Sequence, residues 1–493
     1  MSAFLFFSVI ISYFAALIII SRITGKKADA ASYFIGNKQS PWYLVAFGML
    51  SDSLSGVTYI SVPGAVYKQS MTYLQVVIGY FIGYFIIVYV LLPVYYRLNL
   101  VSIYTYLQQR FGKNSQKTGA FYFLVSRLLG AGGRLMLAIT VMQVFIFNRF
   151  NIPFGLTATV FIGLMLLYTY KGGIKTLVYT DAFQSLFLIL GVTLSIFAIG
   201  SQLDMGFGEL VSAVDNSPYG KIFETDALQS NFWLKHIIGG ALFTVGMTGL
   251  DQNMMQKNLS MKSLGEARKN MIWFSFVMVL VNVLFLSLGV LLYHYAQVKG
   301  IVLPSDAKGA IITDEVFPWL ALNSFGAFTA LVFIVGLTAA TFSSADSVLA
   351  TITTSFCIDF MEFETNNYSE KKKENVRHAA HIGFAVILLL VIVVINRFFS
   401  SRATIDLILM MASLTYGPLI GLFAAGLFTR ISFRDKWVPL ICLVSPVVCY
   451  FLGEKDMAWL NGYNFGYEII LVNGLITFLL LLLAGKKKQT AAA

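Results

Sequence analysis

Between Thr338 and Thr354 an apolar run of membrane-helix length carries Ser343, Ser344, Asp346, Ser347, Thr351 and Thr354, with the small Ala340 near its start. On a helix turning about 100° per residue, positions 340, 343, 344, 347, 351 and 354 share one face, and Asp346 lies beside Ser343 one turn away. Hydroxyls and a carboxylate cost several kcal/mol when left unpaired in lipid, so this stripe must look into a bundle interior or a wet cavity. Hard oxygen donors of this kind suit a small hard cation.

Two other apolar segments are interrupted by residues that break helices. The stretch 42–66 contains Gly48, Ser51, Asp52, Ser53, Ser55 and Gly56, and the stretch 235–256 contains Gly239, Gly240, Gly246, Thr248, Gly249 and Asp251. A break frees backbone carbonyls from intrahelical bonding, and paired broken segments in corresponding places of two halves point to the central site of a transporter.

The elements that must position these residues are membrane helices. Of the 493 residues 57% are hydrophobic and only 12% charged, with a mean hydropathy of +0.75, whereas soluble domains are about 25% charged. The formal net charge of +11 does not mark a nucleic-acid binder, because Lys and Arg sit in short clusters between apolar segments. Cys357, Cys442 and Cys449 show neither a disulfide framework nor metal-ligand spacing. His236, His294, His378 and His381 are the only histidines, and no nucleophile–base set accompanies them, which argues against an enzyme.

Segments long enough to span about 30 Å of hydrocarbon start near residues 3, 42, 72, 119, 153, 177, 235, 270, 324, 377, 403, 435 and 464, about 13 spans. The first is apolar from Ala3 to Ile20 with its positive charges after it, as in a retained helix rather than a signal peptide. Basic clusters at Arg22/Lys26/Lys27, Arg97/Arg110/Lys113/Lys117, Lys171/Lys175, Lys257/Lys262/Arg268/Lys269, Lys371/Lys372/Lys373/Arg377 and Arg430/Arg434/Lys436 fall on one side. The N-terminus is therefore expected outside and the C-terminus inside. If 42–66 and 235–256 each open a five-helix unit, the units are 42–200 and 235–429 and enter the membrane from opposite sides. That is a 5+5 inverted repeat, with an accessory helix within 1–30 and accessory helices within 435–485, all in one transmembrane domain covering 1–493.

Five blocks resemble the sodium:solute symporters, a family of carriers for sugars, proline, iodide, vitamins and sialic acid. They are Ser51-Asp52-Ser53-Leu54-Ser55-Gly56 with Pro63-Gly64; Tyr168-Thr169 with Gly172-Gly173-Ile174-Lys175, Thr180-Asp181 and Gln184; Asp251-Gln252 with Gln256; Ala340-Thr341-Phe342-Ser343-Ser344; and Tyr416 to Phe423. The resemblance covers nearly the whole chain and implies an all-α integral membrane protein with the LeuT-like 5+5 inverted-repeat transporter fold.

It also implies a sodium site common to the family. Here that site would use backbone carbonyls of Ser51, Leu54 and Ala340 with the hydroxyls of Ser343 and Ser344. The competing reading is that both serines bond back to carbonyls one turn earlier. A second sodium site, present in some members, would draw on Asp181, Ser343, Asp346 and Ser347. This chain departs from the two-sodium pattern at Ala345 and Asp346, so that Asp346 either strengthens an ion site or relays a proton. Alternatively, Asp181 and Asp346 pair with basic groups near the cytoplasmic face. Thr351 and Thr354 continue the stripe as a way out for the ion.

For the solute, the resemblance implies Ser53, Ser55, Thr58, Tyr80 and Arg134, with Gln252. Arg134 follows Gly130-Ala131-Gly132-Gly133 and matches the arginine with which sialic acid carriers hold the substrate carboxylate, a task suited to a planar fork. Tyr80 stands where those carriers show a glutamine. Carboxylate-bearing sugars such as sialic acid therefore compete with neutral sugars, polyols and amino acids as the solute. Asp52 has three roles open to it: attracting sodium, binding a cationic group of the solute, or neutralising Arg134.

The expected activity is sodium-driven import by alternating access, in a monomer embedded in a bacterial plasma or inner membrane. Its partners would be Na+, a small-molecule solute and the lipid bilayer. A transport-inactive sensor with the same fold is the alternative of another class. With about 2.3 kcal/mol per charge per 100 mV, one ion at about 150 mV and a tenfold gradient supplies about 5 kcal/mol. For a neutral solute that limits accumulation to about 10³ to 10⁴, and a second ion roughly squares the limit.

Overall fold

Within hydrocarbon every backbone polar group must be satisfied inside the protein, so a chain this apolar folds into helices. The computed structural model describes residues 3–24, 38–169, 174–363, 365–399, 404–453 and 463–487. Lys26, Lys27, Lys171, Gly172, Gly173 and residues 488–493 lie outside the described residues.

After α1 (Ala3–Thr24), the first group opens with a broken helix, α2 (Trp42–Ser53) and α3 (Gly56–Gln69). A paired segment follows, α4 (Tyr73–Ile86) running through a π-helical turn at Ile87–Leu91 into α5 (Leu92–Arg97). The short α6 (Thr105–Arg110) leads to α7 (Lys113–Phe145), α8 (Phe154–Thr169) and α9 (Ile174–Gln202).

The second group repeats the order. The short α10 (Phe207–Asp215) leads to the broken pair α11 (Trp233–Thr244) and α12 (Gln252–Leu259), joined by a π-helical turn at Val245–Gly249. Then come α13 (Leu264–Val298), the short α14 (Thr313–Asn323), α15 (Ala327–Ser355), α16 (Glu370–Phe399) and α17 (Thr404–Phe428). The last helices are α18 (Val438–Leu452) and α19 (Ile469–Leu483), and Ile431–Phe433 pairs antiparallel with Gly485–Lys487.

Among the described residues, eight helical stretches are long and apolar enough to cross a membrane, with shorter apolar helices at Ser8–Thr24, Phe154–Leu167 and Ile469–Leu483. The sequence-based count of about 13 is larger because it includes these three shorter helices, because the broken span from 235 is cut into halves too short to qualify, and because Gly56–Arg97 runs two spans together. Large apolar side chains such as Phe197, Leu280 and Val394 are exposed, whereas the hydroxyls and Asp346 of α15 are buried. This inverted distribution fits a lipid solvent outside and a polar interior.

The site-bearing helices pack closely. α2 lies against α9 and α15, and α12 against α2, α9, α13 and α15. Small residues set the spacing: a methyl group on Gly48 would come within 3.1 Å of Asp181 Cβ, and one on Gly56 within 2.7 Å of Thr341 Oγ1. One expectation is corrected here. Lys257 reads in the sequence as a charge of a cytoplasmic loop, but α12 extends past 256 and carries it inward to 1% side-chain exposure.

Candidate functional site

The first break lies at Leu54 and Ser55, whose backbone leaves the helical region with ψ of 79° and 178°. Leu54 N–H closes back on Leu50 O at 2.6 Å, and Ser55 O accepts from Tyr59 N–H at 3.0 Å. Among the described residues no backbone donor outside the helices returns to Ser51 O, as expected where a helix ends and its last carbonyls lose their partners.

Side by side with this break are the hydroxyls of α15. Ser51 Oγ lies 2.7 Å from Ser343 Oγ, 2.9 Å from Asp181 O and 3.1 Å from Gly48 O, and Ser343 Oγ lies 3.1 Å from Asp181 Oδ1. Two hydroxyl protons thus face four oxygen contacts, an oxygen-rich and donor-poor arrangement. Leu54, Ala340 and Ser344 are buried on the same packed helices, and Ser344 Oγ bonds back to Thr341 O at 3.1 Å.

Around the second group of oxygens stands a cation that belongs to the protein. Lys257 Nζ donates to Asp181 Oδ2 at 2.6 Å, Asp52 Oδ2 at 3.0 Å and Ser347 Oγ at 3.2 Å. The structure therefore brings Asp181, Ser343 and Ser347 together, whereas Asp346 Oδ1 accepts from the neighbouring Ser347 N–H. Thr351 Oγ1 lies 2.9 Å from Asn253 Oδ1 and 2.7 Å from Ser347 O, so the lower stripe meets α12 directly.

Asp52 also accepts from Asn253 Nδ2 at 2.8 Å; its ion pair is with Lys257 and not with Arg134. Its other oxygen, Oδ1, is buried with no hydrogen-bond partner among the described residues. Asp52 lines a cavity of about 90 Å³ together with Ser53, Ser55, Thr58, Tyr80 and Arg134. Arg134 is 8% exposed and makes no ion pair or hydrogen bond among the described residues. The neighbouring Arg127 pairs instead with Asp251, which accepts from Tyr416 OH at 2.9 Å and caps α12 through Asn253 N–H at 2.9 Å.

Gln252 stands apart from the cavity. Its Oε1 accepts from Ile103 N–H at 2.9 Å and its Nε2 donates to Val101 O at 2.7 Å, so the side chain fastens the start of α12 to the segment before α6. Lys257 and Asn253 escaped the sequence reading. Their signal was a four-residue spacing, which puts both on one face of the helix after the second break.

The sodium:solute symporter family matches residues 33–431. The sodium/sialic acid symporter SiaT of Proteus mirabilis is 24% identical over 87% of this chain and 85% of that protein. The mouse sodium-coupled monocarboxylate transporter 2 is 26% identical over 84% of this chain and 67% of its own length. A solved Na+-coupled sialic acid symporter in a substrate-bound outward-open state superposes with a TM-score of 0.82 at 20% identity, covering 98% of both chains. That likeness shows the LeuT-like fold.

Proposed function

The chain belongs to the sodium:solute symporter family, and from that premise we propose that its solute is a small organic carboxylate with a hydroxyl or N–H donor, imported with sodium by alternating access. The family is one of multi-pass membrane transporters that couple a solute to Na+, not of enzymes. The observation that carries the solute class is the cavity's pair of unanswered groups, the Arg134 guanidinium and Asp52 Oδ1. A buried cation with no counter-ion in contact is stabilised by an anion that reaches it, and an acceptor without a donor is answered by a hydroxyl or amine. Both relatives named above act on carboxylates, which agrees with this reading.

Size narrows the class further. At about 10–15 Å³ per water-sized group, a cavity of this volume holds well under a dozen such groups. A small hydroxy or amino acid fits the cavity as it stands.

Sodium would bind where the first break meets α15, held by carbonyls of Ser51, Leu54 and Ala340 and hydroxyls of Ser343 and Ser344. The proton-poor oxygens at Ser51 and Ser343 support that assignment. The Lys and Arg clusters support an orientation with the N-terminus outside and the C-terminus inside. Sodium entering from outside then favours the outward state and raises solute affinity, and the solute raises sodium affinity by the same factor.

Uptake into proteoliposomes tests the reading, using small hydroxy acids, amino acids, sialic acid and neutral sugars with and without a sodium gradient. Sodium-dependent uptake of carboxylates alone is expected, and Ser343→Ala should raise the half-saturating sodium concentration about tenfold or more. Uptake of neutral sugars in preference to acids would overturn the solute class.

A further inference from the structure

An ammonium group has three N–H donors and one positive charge. At Lys257 all three are met by oxygens from three different helices: Asp52 on α2, Asp181 on α9 and Ser347 on α15. The side chain is 1% exposed and both carboxylates are fully buried. Such a group is electrically and geometrically equivalent to a bound monovalent cation, except that it cannot leave.

Two of its three oxygen partners, on Asp181 and Ser347, belong to the set that the family resemblance implies for a second sodium ion. A metal ion placed among them would compete for the same lone pairs and be repelled by the ammonium in a medium of low dielectric. We propose that Lys257 is a tethered cation filling the second ion position, so that this chain binds and transports a single sodium ion. The inference rests on the first sodium site proposed above.

The geometry connects the two positions. Asp181 accepts from Lys257 at Oδ2 and from Ser343 at Oδ1, and the Ser343 hydroxyl faces Ser51 at the helix break. Asp181 thus keeps an oxygen beside Ser343 that the ammonium does not meet, while the charge of Asp52 is also balanced through space by Arg127 and Arg134. A single sodium ion at the first site completes the compensation. The stripe below Ser347 is engaged by α12 through Thr351 and Asn253, so the helix that carries Lys257 also covers the face that the sequence offers as an ion exit.

Sodium alone is a sufficient probe. Equilibrium binding of radioactive Na+ to the purified full chain in detergent should saturate at one ion per polypeptide. Lys257→Gln frees Asp52 Oδ2, Asp181 Oδ2 and Ser347 Oγ and should raise the count to two, whereas Lys257→Arg should keep it at one. Asp181→Asn, a second route if Lys257→Gln does not fold, should still bind one ion with weaker affinity.

Two ions in the wild-type chain, with a fall to one in Asp181→Asn, would overturn the tethered-cation assignment while leaving the first site intact. A folded Lys257→Gln protein that still binds one ion would overturn it as well. No sodium bound by the wild-type chain would instead remove the first site, on which the inference depends. A merely structural ion pair would change stability and leave every count unaltered.

Discussion

A buried guanidinium with no carboxylate in contact is only partly compensated, and Arg134 is in that position, with Asp52 and Asp251 acting on it through space. Arg127, seven residues earlier on α7, shows the contrast, because Asp251 neutralises it within the protein. Removing Arg134 should therefore affect the solute far more than the fold. Arg134→Ala is expected to weaken binding of a carboxylate substrate by about 2–5 kcal/mol, a factor of roughly 30 or more. Arg134→Lys should recover only part of it, since a point charge replaces a planar fork. Calorimetric titration with the best transported acid measures both, and unchanged affinity in the alanine variant would eliminate Arg134 as the carboxylate partner.

The broken helices hold these residues, and each break has a different fastening. At the second, Asp251 caps α12, accepts from Tyr416 on α17 and pairs with Arg127 on α7. Asp251→Asn preserves the cap but leaves Arg127 buried and uncompensated, so it should destabilise the fold by about 3–5 kcal/mol. Adding Arg127→Gln should restore most of that loss, because it removes the stranded charge. Thermal unfolding of the two single variants and the double variant closes the cycle, and a double variant no more stable than Asp251→Asn would refute the coupling. Both breaks were legible in the sequence as Gly, Ser and Asp inside apolar runs, and the α15 stripe as oxygens at helical spacing. The ion pairs were not. Helical periodicity fixes the face and depth of a residue but not its lateral neighbour, so Asp52 could be matched by depth to Arg134 while its partner, 205 positions along the chain, is Lys257. A hydropathy window ends at the first lysine it meets, which assigned Lys257 to a loop. Its burial depends on two carboxylates brought in by α2 and α9, which no local pattern in α12 contains.

At the scale of the molecule, the number of ions and the charge of the solute determine what the sodium gradient can achieve. A single Na+ moving with a monoanionic carboxylate carries no net charge, so the membrane potential does no work on the cycle. Accumulation is then bounded by the sodium concentration ratio alone: a tenfold gradient gives about tenfold accumulation, because both ratios contribute RT ln of their value. Two sodium ions with the same solute would move one net charge, and at about 2.3 kcal/mol per 100 mV a potential of about 120 mV would add roughly 100-fold. Steady-state accumulation of a small hydroxy acid in proteoliposomes, with the potential set by a potassium gradient and valinomycin, separates these cases. The plateau is expected to stay the same between zero and about −120 mV and to scale with the sodium ratio. A rise of about 100-fold under the inside-negative potential would mean that a second mobile cation accompanies the solute, and the ammonium of Lys257 would then be no substitute for it.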